Sequence, residues 1–174
     1  RMCNNLDKYE CLAAREGKAV ADKHFRATGS GITTKYILER VEIDHTPLDV
    51  MVVNEKTGLV DGRLWLTSLL DKHSRILLGF EIGFEPPSEL SVMRALRNAI
   101  LPKTYVKSEF PNLLNEWIAY GIPTSITCDN GFEFHANDLK RMCVELNIEL
   151  QFCPKKQANY KGGIERLQGH LNSS

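Results

Sequence analysis

The period at which apolar residues recur changes along this chain, and each change predicts an element. Across residues 6–26, Leu6, Tyr9, Ala13, Val20 and His24 return at roughly helical spacing, and Thr28-Gly29-Ser30-Gly31 then breaks the pattern. This predicts a leading helix and linker, residues 1–35, outside the main sheet. Residues 36–53 are rich in Val, Ile, Leu and Met and alternate through Val41, Ile43 and His45, the period-two pattern of a strand. Residues 64–71 and 76–84 read as two more strands around a short turn at 72–74, with Thr57-Gly58 and Asp61-Gly62 as further turn signals. Three strands joined by short turns form an antiparallel meander.

Pro86-Pro87-Ser88 ends that run, and Ser88 is placed to cap a helix that buries Val92, Leu96 and Ile100. A shorter helix is expected over 110–120, through Leu113, Leu114, Trp117 and Ile118, ending at Gly121. Residues 124–128 are a short apolar strand. Leu139, Met142, Cys143 and Leu146 mark an amphipathic helix over 137–146, and Ile148, Leu150 and Phe152 alternate as a last strand. A final helix over 161–171 carries Ile164, Leu167 and Leu171 on its buried side and Glu165 on the opposite face. The order β-β-β-α-α-β-α-β-α predicts an α/β domain over 36–174, with a mixed sheet of three antiparallel strands and then strands alternating with helices.

Composition changes this picture little. Of 174 residues, 43% are hydrophobic and 25% charged, ordinary values for a globular protein with one sizeable core. No stretch reaches the ~18 apolar residues of a membrane span, so no membrane partner is expected. The chain opens on Arg1 and closes at Ser174 soon after its last motif, which predicts a fragment truncated at its C-terminal side. Five cysteines, Cys3, Cys11, Cys128, Cys143 and Cys153, have no CxxC spacing, which predicts reduced thiols, a cytoplasmic location and no structural zinc. The formal net charge is zero. It lacks the basic surplus of a free-standing DNA binder, but an enzyme core can take its grip on DNA from other domains.

The candidate chemistry lies in three acids. Asp44 falls inside the apolar run Val41-Glu42-Ile43-Asp44-His45-Thr46, where a carboxylate needs a partner. Asp129 stands at the carboxyl end of the strand Ile126-Thr127-Cys128, a favoured position for ligands in α/β sheets, although Asn130-Gly131 after it also reads as a plain turn. Glu165 lies on the last helix, where a solvated face is the ordinary reading. If the two strands are neighbours and the helix packs across them, the carboxylates converge and repel unless cations neutralise them. Oxygen ligands alone suit Mg²⁺ or Mn²⁺, and two such ions ~4 Å apart serve phosphoryl transfer.

Thirty-five residues separate Asp129 and Glu165. With the words Ile43-Asp44-His45-Thr46-Pro47-Leu48-Asp49, Cys128-Asp129-Asn130-Gly131-Phe132-Glu133-Phe134 and Lys161-Gly162-Gly163-Ile164-Glu165-Arg166, the chain resembles the catalytic cores of DDE transposases and retroviral integrases. The likeness covers about residues 36–172 and is greatest to the bacterial integrase-core transposases. It implies an RNase H-like fold, a five-stranded mixed sheet flanked by helices. The implied activity is nicking of transposon ends and joining of the 3′-hydroxyl to target DNA. Asp44, Asp129 and Glu165 would be the catalytic and metal-binding residues, with two Mg²⁺ or Mn²⁺ ions when DNA is bound. The same resemblance implies DNA as partner, a homo-oligomer on paired ends, a bacterial, nucleoid-associated location, and room for an ATPase that selects targets.

Lys155, Lys156, Lys161 and Arg166 flank these acids and are candidate contacts for DNA phosphates, with simple solvation as the alternative. Gly162 and Gly163 would let DNA backbone approach, or mark a flexible loop. Asn130 and His135 read as a turn residue and a surface histidine. Two rivals remain open. Glu42, Asp49 and Glu133 are further acids that an RNase H-like nuclease or resolvase without strand transfer would use. A non-catalytic DNA-binding relic of a transposase would often have lost one of the three acids, all of which stand here.

Overall fold

The computed structural model describes residues 7–24, 33–129, 131, 134, 136–153 and 162–173. The chain divides into two compact units, Arg1–Gly31 and Ile32–Ser174. In the first, two helices pack on each other, α1 (Lys8–Glu16) and α2 (Lys18–His24), where periodicity alone predicts one. Gly17 separates them with φ 92°, a conformation that ends α1 and that side-chain-bearing residues rarely adopt. Asp7 caps α1 by accepting from Tyr9 N at 2.9 Å.

The second unit is built on one mixed sheet with the strands β1 (Arg40–Val53), β2 (Val60–Asp71), β3 (Leu77–Gly83), β4 (Ser125–Cys128) and β5 (Glu149–Phe152). Their order across the sheet is β3-β2-β1-β4-β5. β1 pairs antiparallel with β2, and β2 with β3; β4 joins β1 in parallel, and β5 joins β4 in parallel. The five-stranded mixed sheet of the sequence reading is therefore the observed one. The hairpin of β1 and β2 is longer than expected, because Asp61-Gly62 lies within β2 rather than at a turn. Gly62, at φ 142°, pairs with Val52 beside a register shift, so the turn signal is spent on an irregularity inside the ladder.

Helices cover both faces. On one lies α3 (Glu89–Ile100), with Val92, Ala95, Leu96 and Ala99 buried, and α5 (Asn137–Glu145), with Leu139 and Cys143 buried. They share a core with Val41, Ile43, Leu69, Leu78, Ile126, Cys128, Phe134 and Ile148. Ser88 begins α3 with a reciprocal capping box to Ser91. α5 has no side-chain cap of its own; Glu89 of α3 accepts from Leu139 N at 2.9 Å instead, which ties the two helix starts together. α6 (Gly162–Ser173) packs against β1 and β2. Among the described cysteines Cys11, Cys128, Cys143 and Cys153 are free thiols, and no described helix is long and apolar enough to cross a membrane.

The helix expected over 110–120 does not form. Only the short α4 (Val106–Glu109) precedes an irregular run that returns to β4. Leu113, Leu114 and Ile118, which the periodicity placed on a buried face, are 60%, 99% and 75% exposed. Trp117 alone is held, and by groups that helical spacing does not bring together. Its indole N–H donates to Leu77 O at 2.8 Å, its ring stacks on Phe80, and the Lys103 ammonium lies 5.0 Å above it. Lys103 is almost wholly buried, and burial pushes its pKa down to about 8. Its Nζ donates to Ala99 O and Leu101 O, which satisfies carbonyls at the end of α3.

The tightest helix–sheet approach is at Gly79, where a Cβ would fall 2.8 Å from the Cβ of Ala99 and closer still to its backbone nitrogen. Gly79→Ala is expected to cost about 2 kcal/mol or more, because backbone rather than a pliant side chain must move. Thermal unfolding read by circular dichroism should show Tm lower by about 5 °C or more; an unchanged Tm would mean that α3 shifts freely.

Candidate active site

The parallel ladder between β1 and β4 pairs Arg40 with Ser125, Val41 with Ile126 and Glu42 with Thr127. Continued for two residues, that register sets Asp44 beside Asp129, the first residue after β4, on strands ~4.8 Å apart. The hydrogen-bonded pairs themselves end at Glu42 and Thr127, two residues before these acids. Val41 and Ile43 enter the core under α3 and α5, so Glu42 and Asp44 face the other way by strand alternation. That other side is the one covered by α6, since Ile164 N donates to Glu42 Oε2 at 3.1 Å.

Glu42 fixes where α6 begins. Its carboxylate is fully buried, forms an ion pair with Lys72, and receives the Ile164 N–H from the first turn of the helix. A Cβ at Gly163 would lie 2.9 Å from Glu42 Oε2 and 3.3 Å from Leu70, so the near neighbour of this glycine is the sheet itself. At the other end of α6, Asn172 Oδ1 accepts from Asp49 N at 3.1 Å and its Nδ2 donates to Pro47 O at 3.3 Å. The helix therefore runs along β1, from Glu42 to the level of Pro47 and Asp49.

Position 165 is one residue beyond Ile164 and two turns before Asn172. Its side chain lies outside the described residues. Of the apolar residues expected on the buried side of α6, Leu167 is half-buried. Ile164 is indeed buried, but Leu171 is 45% exposed, and the residue tied to the sheet is the polar Asn172. Hydrophobic periodicity thus finds the buried side at Ile164 and Leu167 and misses the polar anchor at Asn172.

The surroundings of the acids are polar. Asp44 is half-buried and Asp129 exposed. Asp129 Oδ1 accepts from Gly131 N at 3.0 Å, which uses one carboxylate oxygen. Ser68, opposite Asp44 on β2, and Thr127, opposite Glu42 on β4, are buried hydroxyls whose oxygens have no hydrogen-bond partner among the described residues; the same holds for Gln168 Nε2 on α6. Buried polar atoms left in this way mark places where water or an ion completes the network. With hard carboxylates as donors, the chemistry fits a divalent cation bound through oxygen and water. Among the described residues no three such side chains form a complete metal cluster. Arg166 is exposed on α6, while Lys155, Lys156 and Lys161 lie outside the described residues, as do Asn130, Glu133 and His135.

The remaining extra acids have structural tasks. Glu42 is committed to Lys72 and α6, and Asp49 is exposed and ion-paired to Arg63. The sequence held a sign of the first: Glu42 alternates with buried Val41 and Ile43, so it had to be buried on Asp44's side. His45, on the core side, stacks on Phe134 at 5.1 Å and lies 2.8 Å from Thr67 Oγ1.

Sheet order, strand directions and helix placement define an RNase H-like fold of the integrase-core type. The chain is similar in structure to the simian T-cell lymphotropic virus intasome solved with the PP2A regulatory subunit B56 gamma, with TM-score 0.56, 13% identity, and 95% of this chain and 55% of that one covered. It is similar also to the HTLV-2 integrase catalytic core domain in complex with magnesium, in its dimeric form, with TM-score 0.50, 16% identity, and 80% and 68% coverage. More closely, residues 42–174 match the model of the TnsB C-terminal domain, and the chain belongs to that family. Relatives include the transposase for transposon Tn552 of Staphylococcus aureus, 28% identical over 76% of this chain and 25% of that protein. Another is the Tn7 transposition protein TnsB of Escherichia coli, 28% identical over 91% of this chain and 23% of that protein. The chain spans about a quarter of the length of each.

Glu42→Ala should strand the Lys72 ammonium and uncap α6, with a loss of about 3 kcal/mol in urea unfolding. Glu42→Gln, which keeps an acceptor for Ile164 N, should lose less. Equal losses would mean that the hydrogen bond to α6 adds nothing.

Proposed function

We propose that this chain is the catalytic core of a DDE-type DNA transposase, with Asp44, Asp129 and Glu165 as its metal-binding and catalytic carboxylates. The observation that supports the reading is the β1–β4 register, which, if continued two residues past Glu42 and Thr127, would bring Asp44 level with Asp129. Membership of the TnsB C-terminal domain family and the transposase names of the relatives support it. The substrates are transposon ends and target DNA, and the core acts as a multimer on paired ends.

In this reading Asp44 is the central ligand, being rigidly placed on a long strand, with Asp129 and Glu165 on either side of it. The cations are Mg²⁺ or Mn²⁺, and when bound they activate a nucleophilic oxygen and stabilise the leaving oxygen in phosphoryl transfer. The chain's own contribution is placement. The β1–β4 ladder leads toward Asp44 and Asp129, Gly131 N donates to the Asp129 carboxylate, and Glu42 holds the start of α6. Nicking frees a 3′-hydroxyl at the transposon end, and the same carboxylates then serve its attack on target DNA. Lys155, Lys156, Lys161 and Arg166, which flank Glu165 in the sequence, are contacts for the DNA backbone.

The test is strand transfer with a pre-nicked end duplex and a plasmid target. Asp129→Asn should reduce nicking and joining by at least about 1,000-fold while DNA binding is kept, because residues that act as a unit lose most of their effect together. Undiminished nicking and joining by the variant would sink the assignment; an unsubstituted chain that nicks but never joins would favour a nuclease of the same fold.

A further inference from the structure

A cavity of about 240 Å³ opens beside the start of α6, with Glu42, Asp71, Lys72, His73, Arg75 and Arg166 in its wall. Its two carboxylates are engaged inward. Glu42 is tied to Lys72 and Ile164 N, and Asp71 accepts from Leu38 N at 2.9 Å, Ser74 N at 2.7 Å and Ser74 Oγ at 2.6 Å. The groups turned outward carry positive charge. His73, Arg75 and Arg166 are all exposed, and among the described residues the Arg75 side chain forms no ion pair or hydrogen bond. His73 Nδ1 lies 3.1 Å from Thr34 O.

The turn between β2 and β3 presents this charge rigidly. Arg75 N donates to Asp71 O at 2.9 Å, Asp71 N to Ile76 O at 3.0 Å, and Ile76 N to Ser74 Oγ at 3.3 Å. Arg75 sits at φ 61°, where glycine or asparagine is the inexpensive residue. A guanidinium is kept there although the backbone would favour another side chain.

The cavity also adjoins the acids. Glu42 lines it, and Asp44 is two residues further along the same strand and face, ~6.6 Å away along the strand. We propose that this cavity docks a backbone phosphate of the DNA, held by Arg75 with Arg166 and His73, next to the phosphate that reacts at the carboxylates. The proposal rests on the transposase reading and names a phosphate site which that reading does not require. Contacts of this kind position DNA and carry no base sequence.

Arg75→Gly is the discriminating variant, because glycine accepts φ 61° and the turn is kept. Binding of a labelled duplex of mixed sequence to the whole chain, followed by fluorescence anisotropy over a salt series, should weaken about tenfold at low salt. The slope of log K against log salt should fall by about one, and Tm should be unchanged or higher. Arg75→Glu should weaken binding further. Wild-type affinity and slope in Arg75→Gly would overturn the proposal, as would an unsubstituted chain that binds no duplex at low salt. Asp129→Asn separates the two readings. If that variant still nicks and joins, the catalytic assignment falls while the Arg75→Gly slope still decides the phosphate site.

Discussion

The carboxylate of Glu42 has no access to solvent, and a charge so placed persists only with its counter-charge and hydrogen-bond donors in position. Lys72 supplies the first from the end of the β1–β2 hairpin's return strand, and the first turn of α6 supplies a backbone N–H. One side chain thereby joins three parts of the chain far apart in sequence. Gly163 allows the approach, since a side chain there would press on the carboxylate. The placement of α6 along β1 follows from this constraint. The acid most deeply set beside the candidate site thus belongs to its scaffold.

Much of this was legible in the sequence. Alternation through Val41 and Ile43 marks a strand with one core face, and Leu139 and Cys143 mark the buried side of α5; both patterns work because a single apolar surface dictates them. The three acids stand out in the sequence through their neighbours and spacing. What escaped was structure fixed by polar contacts across long separations. Leu113, Leu114 and Ile118 have helical spacing but no partner surface, while Trp117 answers to Leu77, Phe80 and Lys103. The contact side of α6 is set by Glu42, Pro47 and Asp49, which hydrophobic periodicity does not register.

The sheet itself explains why chemistry gathers where it does. β1 runs for fourteen residues and β4 for four. Side by side in parallel, the short strand ends where the long one is still in mid-course. Asp129 follows the end of β4, while Asp44 lies in the interior of β1, where the backbone is held by β2 and Asp44 pairs with Ser68. Asp44 is half-buried within a long strand, and Asp129 is exposed just past the end of a short one.

The same mismatch in strand length leaves β1 beyond Asp44 without a β4 neighbour. Such a margin is a template on which another chain can add a strand. Two features blunt it here. Pro47 interrupts regular pairing, next to a register shift that extends to Met51, and Asn172 occupies the backbone of Pro47 and Asp49 with its amide. The last turn of α6 thus acts as a guard on the sheet's margin. A chain in which that turn frays would offer the strand to its neighbours, and self-association through added strands would compete with folding in a way that no change at the acids could cure.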